Sequence, residues 1–405
     1  MISSSPPTSA ASPASRIAFI GDDRQVYVIE ADGSALQQVT WSKVPSALTR
    51  WGGSSGQDTC AWPGFSPDGR WIICFQSEGG DGLITSRICA VEVDGVEERG
   101  LAELSGQLPI YAQWNEQSQQ IAVLVQEEEE LQLWLCALDT VGHARMVDNG
   151  IPLFFSWAPG GGQVMLHTGS ARRKAGRLVL RSLQATGEDC VFMESPGSFC
   201  TPQFSKGKLI LAINKGERRS SVCICEPDGS SRRVLTSMDG LLAVIPSPDG
   251  ELVAVAAAPG GEGSPYEGLW VVPTAGGERQ QVLAEECQAF FWIPGSMALV
   301  FAQLDNDNRC FWWKKLDLES REVSNICSFW PSRDQLFYLH FFEQYIHSHP
   351  LISADGETLI YAGHSPPGTD PNPSPRLWAV DLGAEIPRPV ELVRGSFGTF
   401  PPRSH

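Results

Sequence analysis

The stretch FSPDGRWIICF (Phe65–Phe75) recurs in two further versions, IPSPDGELVAV (Ile245–Val255) and ISADGETLIYA (Ile352–Ala362). In each version a Ser-(Pro or Ala)-Asp-Gly turn separates two apolar segments. Asp-Gly between two apolar runs is a strong local signal for a β-hairpin. A hairpin phrase that recurs along one chain predicts a repeat architecture.

A second phrase, an apolar strand that ends at a polar turn, accompanies the first. QVYVIEADG (Gln25–Gly33) and GLWVVPTAGG (Gly268–Gly277) are two of its eight copies, and a strand-like apolar segment precedes each copy. The spacing of roughly 40–65 residues suits blades of four strands. The sequence therefore predicts an all-β protein, a β-propeller of four-stranded blades, with eight blades as the first interpretation and seven as the second. A stacked β-solenoid or two smaller β domains are the alternatives.

The two ends of the chain predict how the repeat closes. The first unit begins directly at Arg16 with IAFIG, a second strand, and lacks an innermost one. The leftover C-terminal segment GSFGTFPPRS (Gly395–Ser404) resembles SFCTPQFSKG (Ser198–Gly207), an innermost strand with its turn. We therefore expect one domain over residues 16–405, closed by the C-terminal strand. The Ser, Pro and Ala content of residues 1–15 predicts a disordered arm.

Composition narrows the classes of partner. The formal net charge is −17, which argues against nucleic acid as a partner and against an anionic membrane surface. No apolar run of about 18 residues exists, so we expect no membrane insertion. The 11 cysteines fall partly inside strand patterns, which favours buried thiols in a reducing compartment. The N-terminal residues lack the pattern of a secretory signal, so we expect a cytoplasmic location. We also expect a monomer.

The repeated phrases resemble the TolB-like propeller repeats, relatives of WD-repeat blades, over almost the whole chain after Ser15. The resemblance implies a propeller and leaves the function open, because members include periplasmic scaffold proteins, propeller domains of prolyl-oligopeptidase-type peptidases and some lyases. The peptidases need an added α/β-hydrolase domain, for which the repeats leave no room. We therefore exclude serine hydrolysis.

The long connections between strands are predicted to lie on one rim of the propeller, the loop rim, and the Ser-Pro-Asp-Gly turns on the other, the turn rim. The richest insertion, SFWPSRDQLFYLHFFEQYIHSHP (Ser328–Pro350), predicts a helix near 332–346 that begins with a capping box, Ser332 and Gln335. It is either a helix packed on the blades as core or one whose outer aromatics, Phe337, Phe341 or Tyr345, meet a partner.

The leading hypothesis is a non-catalytic scaffold that binds a protein, a peptide or another ligand through the loop rim and needs no cofactor. Aromatic side chains dominate binding hot spots. Those expected on this rim, at the insertions 41–59 and 327–348, are Trp41, Trp51, Phe329, Trp330 and Tyr345.

The alternative is an enzyme. Gln344-x-x-His347-x-His349 resembles a phrase of oligogalacturonate lyases, propellers in which a Gln and His residues hold a metal. The resemblance implies a divalent ion such as Mn²⁺ and a metal-dependent, polysaccharide-lyase-like carbohydrate enzyme. Those lyases use a further His from a preceding blade, and this chain has none between His167 and His340.

Overall fold

A computed structural model describes residues 15–41, 59–80, 83–95, 97–169, 176–184, 189–194, 201–214, 219–261, 264–364 and 374–403. These ranges contain 31 strands and two short helices, α1 and α2. Neither helix is long and apolar enough to cross a membrane. The bounds, in chain order, are β1 Arg16–Ile20, β2 Val26–Glu30, β3 Gln37–Gln38, β4 Thr59–Phe65, β5 Trp71–Gly80, β6 Leu83–Glu92, β7 Glu98–Ser105, β8 Leu108–Trp114, β9 Gln120–Glu127, β10 Glu130–Ala137, β11 Arg145–Gly150, β12 Leu153–Trp157, β13 Gln163–Thr168, β14 Arg177–Ser182, β15 Cys190–Glu194, β16 Gln203–Ser205, β17 Lys208–Asn214, β18 Arg219–Cys225, β19 Arg233–Asp239, β20 Leu241–Pro246, β21 Leu252–Ala258, β22 Tyr266–Pro273, β23 Gln280–Cys287, β24 Ala289–Trp292, β25 Ala298–Asp305, β26 Cys310–Asp317, β27 Val323–Pro331, α1 Arg333–His340, α2 Phe342–Tyr345, β28 Thr358–His364, β29 Arg376–Asp381, β30 Pro389–Arg394 and β31 Phe397–Thr399.

The strands form antiparallel sheets in chain order. Six sheets have four strands each, in the orders β31-β1-β2-β3, β4-β5-β6-β7, β8-β9-β10-β11, β12-β13-β14-β15, β16-β17-β18-β19 and β20-β21-β22-β23. The last sheet runs from β24 to β30 in order and is joined at its middle through the pairs Trp330↔His364 and Pro331↔Gly363. The all-β architecture of four-stranded units agrees with the repeats. The number of blades is seven or eight, depending on whether this sheet is one blade or two.

The C-terminal strand completes the N-terminal sheet. β31 pairs with β1 through Ala18↔Thr399, Phe19↔Gly398 and Ile20↔Phe397. It takes the innermost position, which is the place that the sequence assigns to the tail. The N-terminal sheet therefore has its four strands only when both ends of the chain are present.

The Ser-Pro-Asp-Gly turns follow from local hydrogen bonds. In the first, the Asp68 carboxylate accepts from the Ser66 hydroxyl at 2.5 Å and from the Arg70 amide at 3.1 Å. The Ser66 hydroxyl oxygen also accepts from the Trp71 amide at 3.0 Å. Gly69 has φ +70°, a conformation that favours glycine. The turn at Ser247 and Asp249 has the same bonds, and they lower the pKa of Asp249, the Ser247 hydroxyl being the largest cause.

Neighbouring sheets pack face to face, and hydrogen bonds from tryptophan side chains link their innermost strands. Strands such as β21 are buried almost throughout, because a sheet lies on each side of them. The Trp114 indole N–H donates to the Gly64 carbonyl at 3.2 Å, and that of Trp157 donates to Gln113 at 3.0 Å. The Trp292 indole donates in the same way to the Ile245 carbonyl at 3.0 Å. Each bond joins the innermost strands of adjacent sheets, so these tryptophans fix the position of one sheet on the next.

Candidate functional site

Residues 332–349, here called the plug, contain α1 and α2. Ser332 caps α1, and its Oγ accepts from the Gln335 amide at 3.0 Å. The predicted capping box is incomplete, because the Gln335 side-chain oxygen instead accepts from the Ala362 amide at 3.0 Å. The predicted single helix is also wrong in length. It breaks at Phe341, where φ is −114° and ψ 27°, and α2 follows as one short turn.

Hydrogen bonds join the plug to four neighbouring innermost strands. The Tyr345 hydroxyl donates to the Ile110 carbonyl of β8 at 2.8 Å, and the Gln344 amide donates to the Phe155 carbonyl of β12 at 3.1 Å. The other two bonds involve Glu343. Gln203 Nε2 of β16 donates to the Glu343 backbone carbonyl at 3.1 Å, and the Val244 amide of β20 donates to the Glu343 side-chain oxygen Oε1 at 2.9 Å.

Ring contacts continue this pattern around the remaining sheets. Phe342 meets Phe290 of β24 with ring centroids 5.1 Å apart, and Tyr338 meets Phe397 of β31 at 5.6 Å. Trp62 of β4 meets Tyr345 of the plug at 4.8 Å. The plug therefore lies on the axis of the sheets and fills the central channel from the loop rim. Its buried face is core, as the first interpretation of the insertion holds.

The plug also spans the seam where the N- and C-terminal strands meet. Arg24, in the turn between β1 and β2, donates to Asp334 of α1 at 2.9 Å. The Ser396 hydroxyl, just before β31, donates to the same carboxylate oxygen at 2.6 Å. The Ser332 hydroxyl donates to the Ser396 carbonyl. The start of α1 is thereby fixed to both ends of the chain.

Two of the five predicted partner-binding residues lie inside the protein. Phe329 is fully buried and stacks on Trp313, with centroids 5.3 Å apart and an interplanar angle of 1°. Tyr345 is buried in the plug. Both are core side chains and offer no surface to a partner. Trp330 is half-buried, Trp41 is 55% exposed, and Trp51 lies outside the described residues.

The outer face of α1 provides the exposed apolar surface instead. Leu336, Phe337 and Phe341 are 47%, 40% and 38% exposed. The Phe337 and Phe341 rings lie 4.8 Å apart, and Phe337 also touches Trp62 at 5.4 Å. Leu336, Phe337 and Phe341 are called the seam patch below.

The three predicted metal ligands face different parts of the channel wall. Nε2 of His347 contacts the Gln203 side-chain oxygen on β16. The Gln344 amide group is bound to β12 through the Phe155 carbonyl. A Cβ built on Gly64 of β4 would lie 3.2 Å from Nε2 of His349, while Nδ1 of that ring contacts the Ser348 hydroxyl at 2.8 Å. The three side chains thus lie beside three different sheets.

His349 and Gln344 are both buried side chains. His349 is fully buried, and desolvation lowers its pKa to about 3, so the ring is neutral. Gln344 Oε1 has no hydrogen-bond partner among the described residues, which leaves this atom able to accept. No group of three His, Cys, Asp or Glu in the described ranges is arranged to hold a metal ion. Gln344 and His347 are each held by a neighbouring strand, and the Mn²⁺ site that the lyase resemblance implies stays a prediction.

A cavity of about 650 Å³, called the funnel here, lies on the other side of the plug at the turn rim. The plug residues Ile346, His347 and Ser348 form its inner end, and turn residues such as Pro67 and Pro248 surround it. Its walls carry six aromatic side chains, Phe65, Trp114, Trp157, Phe204, Phe291 and Trp292. The sequence predicts binding on the loop rim and gives no sign of this cavity.

A smaller cavity of about 100 Å³ lies beside the plug at the loop rim and is lined by Glu343, His340 and Tyr266 among others. Burial raises the pKa of Glu343 to about 8, against the opposing effect of the Val244 amide. Burial, and next the charge of Glu343, raise the pKa of Tyr266 well above its usual value.

The chain was compared with known families, curated proteins and solved structures. No protein-family model and no curated protein matches it. A prolyl endopeptidase structure matches at 12% identity with a TM-score of 0.57, covering 85% of this chain and 53% of the other. Oligogalacturonate lyase in complex with manganese matches at 13% identity, covering 91% and 86%, with a TM-score of 0.48. TolB from Acinetobacter baumannii matches at 15% identity, covering 74% and 75%, with a TM-score of 0.42.

These likenesses show the fold alone. The prediction of a β-propeller is confirmed at the level of fold class. One fold can host many unrelated functions, so the β-propeller leaves the function of this chain open. A functional conclusion has to come from the residues of this chain.

Proposed function

We propose that this protein is a non-catalytic β-propeller that captures a protein or peptide partner through the seam patch. The observation that carries the proposal is the aromatic pair Phe337 and Phe341. Their rings lie 4.8 Å apart and both are exposed, on a plug whose other aromatic side chains, Tyr338, Phe342 and Tyr345, are buried.

The physical reason is that the exposed rings of Phe337 and Phe341 are in contact with water, which is unfavourable for apolar surface. The helix already holds its place through the buried side, so burying the outer aromatics is not required for folding. When an apolar side chain of a partner covers these rings, the binding free energy becomes more favourable by roughly 25 cal/mol per Å² of apolar area buried. Aromatic pairs at the centre of such a patch are typical anchors of protein interfaces. The matching partner presents its own aromatic or aliphatic side chains to this face.

The enzyme alternative lacks a comparable observation. Gln344 and His347 each bind a different strand of the channel wall, and His349 lies close to Gly64 of β4. A metal ion bound to His347 would compete with the contact between Nε2 of that ring and the Gln203 side-chain oxygen. We therefore assign them to positioning the plug.

Two further parts of the proposal concern the whole molecule. We count eight blades, because the β24–β30 sheet divides into β24–β27 and β28–β30, and a bridge between Ile352 and Leu359 gives the latter an innermost partner. We also propose a monomer in a reducing, cytoplasmic environment. The ten described cysteines form no disulfide, and nine of them are buried, which supports that setting.

Site-specific photocrosslinking tests the proposal. A benzophenone amino acid placed at Phe337 should crosslink to one protein in cells of the native host, with the site mapped by mass spectrometry. The matched control is the same amino acid at Val390, an exposed apolar position on the outer strand β30. An equal pattern of crosslinks from both positions would contradict a specific interface at the seam patch.

A further inference from the structure

We propose that the funnel at the turn rim is a second binding site, for an apolar organic carboxylate whose body lies among the tryptophans and whose carboxylate binds Arg403. This site is separate from the partner interface, because the plug lies between the funnel and the loop rim.

The size and walls of the funnel define the body of the ligand. A volume of about 650 Å³ falls within the roughly 300–1,000 Å³ of small-molecule sites. The three indole N–H groups already donate to backbone carbonyls, at 3.2 Å for Trp114 and 3.0 Å for both Trp157 and Trp292. These side chains therefore offer apolar surface without a free donor. An aromatic or aliphatic body fits such walls better than a hydroxyl-rich one.

The charges of the funnel define the polar end. Its three charged lining residues are Glu116, Lys206 and Arg403. Glu116 accepts from the Gly160 amide at 3.2 Å, and Lys206 pairs with Glu251 at 2.8 Å. Within the described part of the chain, Arg403 forms no hydrogen bond or ion pair. Among the three charged lining residues, Arg403 is therefore the one whose N–H groups are all without a hydrogen bond to the described residues.

Arg403 is partly buried, and the acidic group that acts on it, Asp355, is bound by other donors. The guanidinium is partly buried, and burial lowers the pKa of Arg403 while the charge of Asp355 opposes that shift. Asp355 itself accepts from the Ser353 hydroxyl at 2.5 Å and from the Glu357 amide at 3.0 Å. A partly desolvated guanidinium beside an apolar cavity is stabilised by a ligand carboxylate, which it binds through two parallel hydrogen bonds.

Calorimetric titration tests the proposal with defined probes. The full-length protein should bind 2-naphthoate, and Arg403→Gln should weaken that binding about 10-fold or more, the usual value of a charge-assisted pair. Lys206→Gln is the matched control. It removes a charge from the same cavity, but that charge is already paired, so 2-naphthoate binding should change less than about 2-fold. Arg403→Lys should restore part of the affinity.

A neutral probe distinguishes a variant that has lost only the interaction between Arg403 and the carboxylate from one in which the whole cavity is disrupted. 2-Naphthamide should bind more weakly than 2-naphthoate and equally to wild type and Arg403→Gln. An acetylated Gly-Gly-Phe peptide, with a free or an amidated carboxyl end, distinguishes a chain terminus from a free organic acid as the source of the carboxylate. If 2-naphthoate binds more tightly than the free peptide and loses affinity in Arg403→Gln, the source is a free organic acid. If the free peptide does so, the source is a chain terminus. Failure of both acids to bind, or equal binding by wild type and Arg403→Gln, overturns the proposal.

Discussion

Arg24 and Asp334 are 310 positions apart in the chain and form an ion pair of 2.9 Å. The pair joins the first hairpin to the first turn of α1. Ser396, just before the closing strand, donates to the same Asp334 oxygen at 2.6 Å. The carboxylate thus gathers the N-terminal hairpin, the plug and the C-terminal strand at one point, where the sheets close.

This arrangement predicts that Asp334→Ala destabilises the protein by about 1–2 kcal/mol. The substitution removes an ion pair, a hydrogen bond from Ser396 and an acidic residue in the first turn of α1. The matched control is Glu251→Ala, whose partner Lys206 is exposed, and which should cost less than about 0.5 kcal/mol. Urea unfolding of the two variants measures the difference. Equal costs would show that Asp334 has no special role at the seam.

Closure by the C-terminal strand predicts a strong effect of truncation. Removing residues 395–405 takes away β31 together with the buried side chains of Phe397 and Phe400. It leaves β1 without an inner partner, so the midpoint of thermal unfolding should fall by more than about 5 °C or the protein should fail to fold. Removing residues 1–14 deletes no described strand and should change the midpoint little. Unchanged melting of the C-terminal truncation would refute the closure.

The positions of His347 and His349 predict insensitivity to metal. A site-bound ion stabilises the folded state by about 2.7 kcal/mol at 100 times its dissociation constant. Because Nε2 of His347 is already in contact with the Gln203 side-chain oxygen, neither millimolar Mn²⁺ nor EDTA should move the thermal midpoint, as measured by calorimetry. A rise with Mn²⁺ that disappears in the variant His347→Ala with His349→Ala would support a metal site and reopen the lyase alternative.

Glu343 predicts a pH dependence with a defined sign. Its pKa is raised from 4.5 to about 8 in the folded protein, so between these values the folded state holds a proton that the unfolded state has lost. Stability from this group is therefore present below about pH 4.5 and is lost as the pH rises toward 8. Relative to Glu343→Gln, the wild type should lose up to about 1.4 kcal/mol per pH unit in that window. Urea unfolding from pH 5 to pH 8 tests this, and a constant difference would contradict it.

The repeated turns made the strands predictable, because their chemistry is local. Ser66, Asp68 and Gly69 act within a few residues of one another, so the sequence alone shows where a hairpin turns. The cap of α1 is local for the same reason. The tail also shows its role through its likeness to an internal strand.

The burial of individual aromatics was not predictable, because it depends on distant residues. Tyr345 binds the carbonyl of Ile110, 235 positions away, and only the complete set of sheets creates that contact. The helical pattern of the insertion marks an apolar face without showing that a channel receives it. The funnel was missed because its aromatic walls come one by one from separate sheets, and Arg403 joins them from the far end of the chain.

The central claim is that the seam patch binds a partner. The most direct measurement is the affinity of the purified partner, once crosslinking has identified it, for wild type and for the double variant Phe337→Ser with Phe341→Ser. We predict a loss of about 30-fold or more, corresponding to about 2 kcal/mol for hot-spot aromatics, in a variant that still unfolds cooperatively on heating. The control variant, Ile386→Ser with Val390→Ser, removes exposed apolar side chains elsewhere and should bind as the wild type does. Equal affinity of the seam variant and the control would contradict the account.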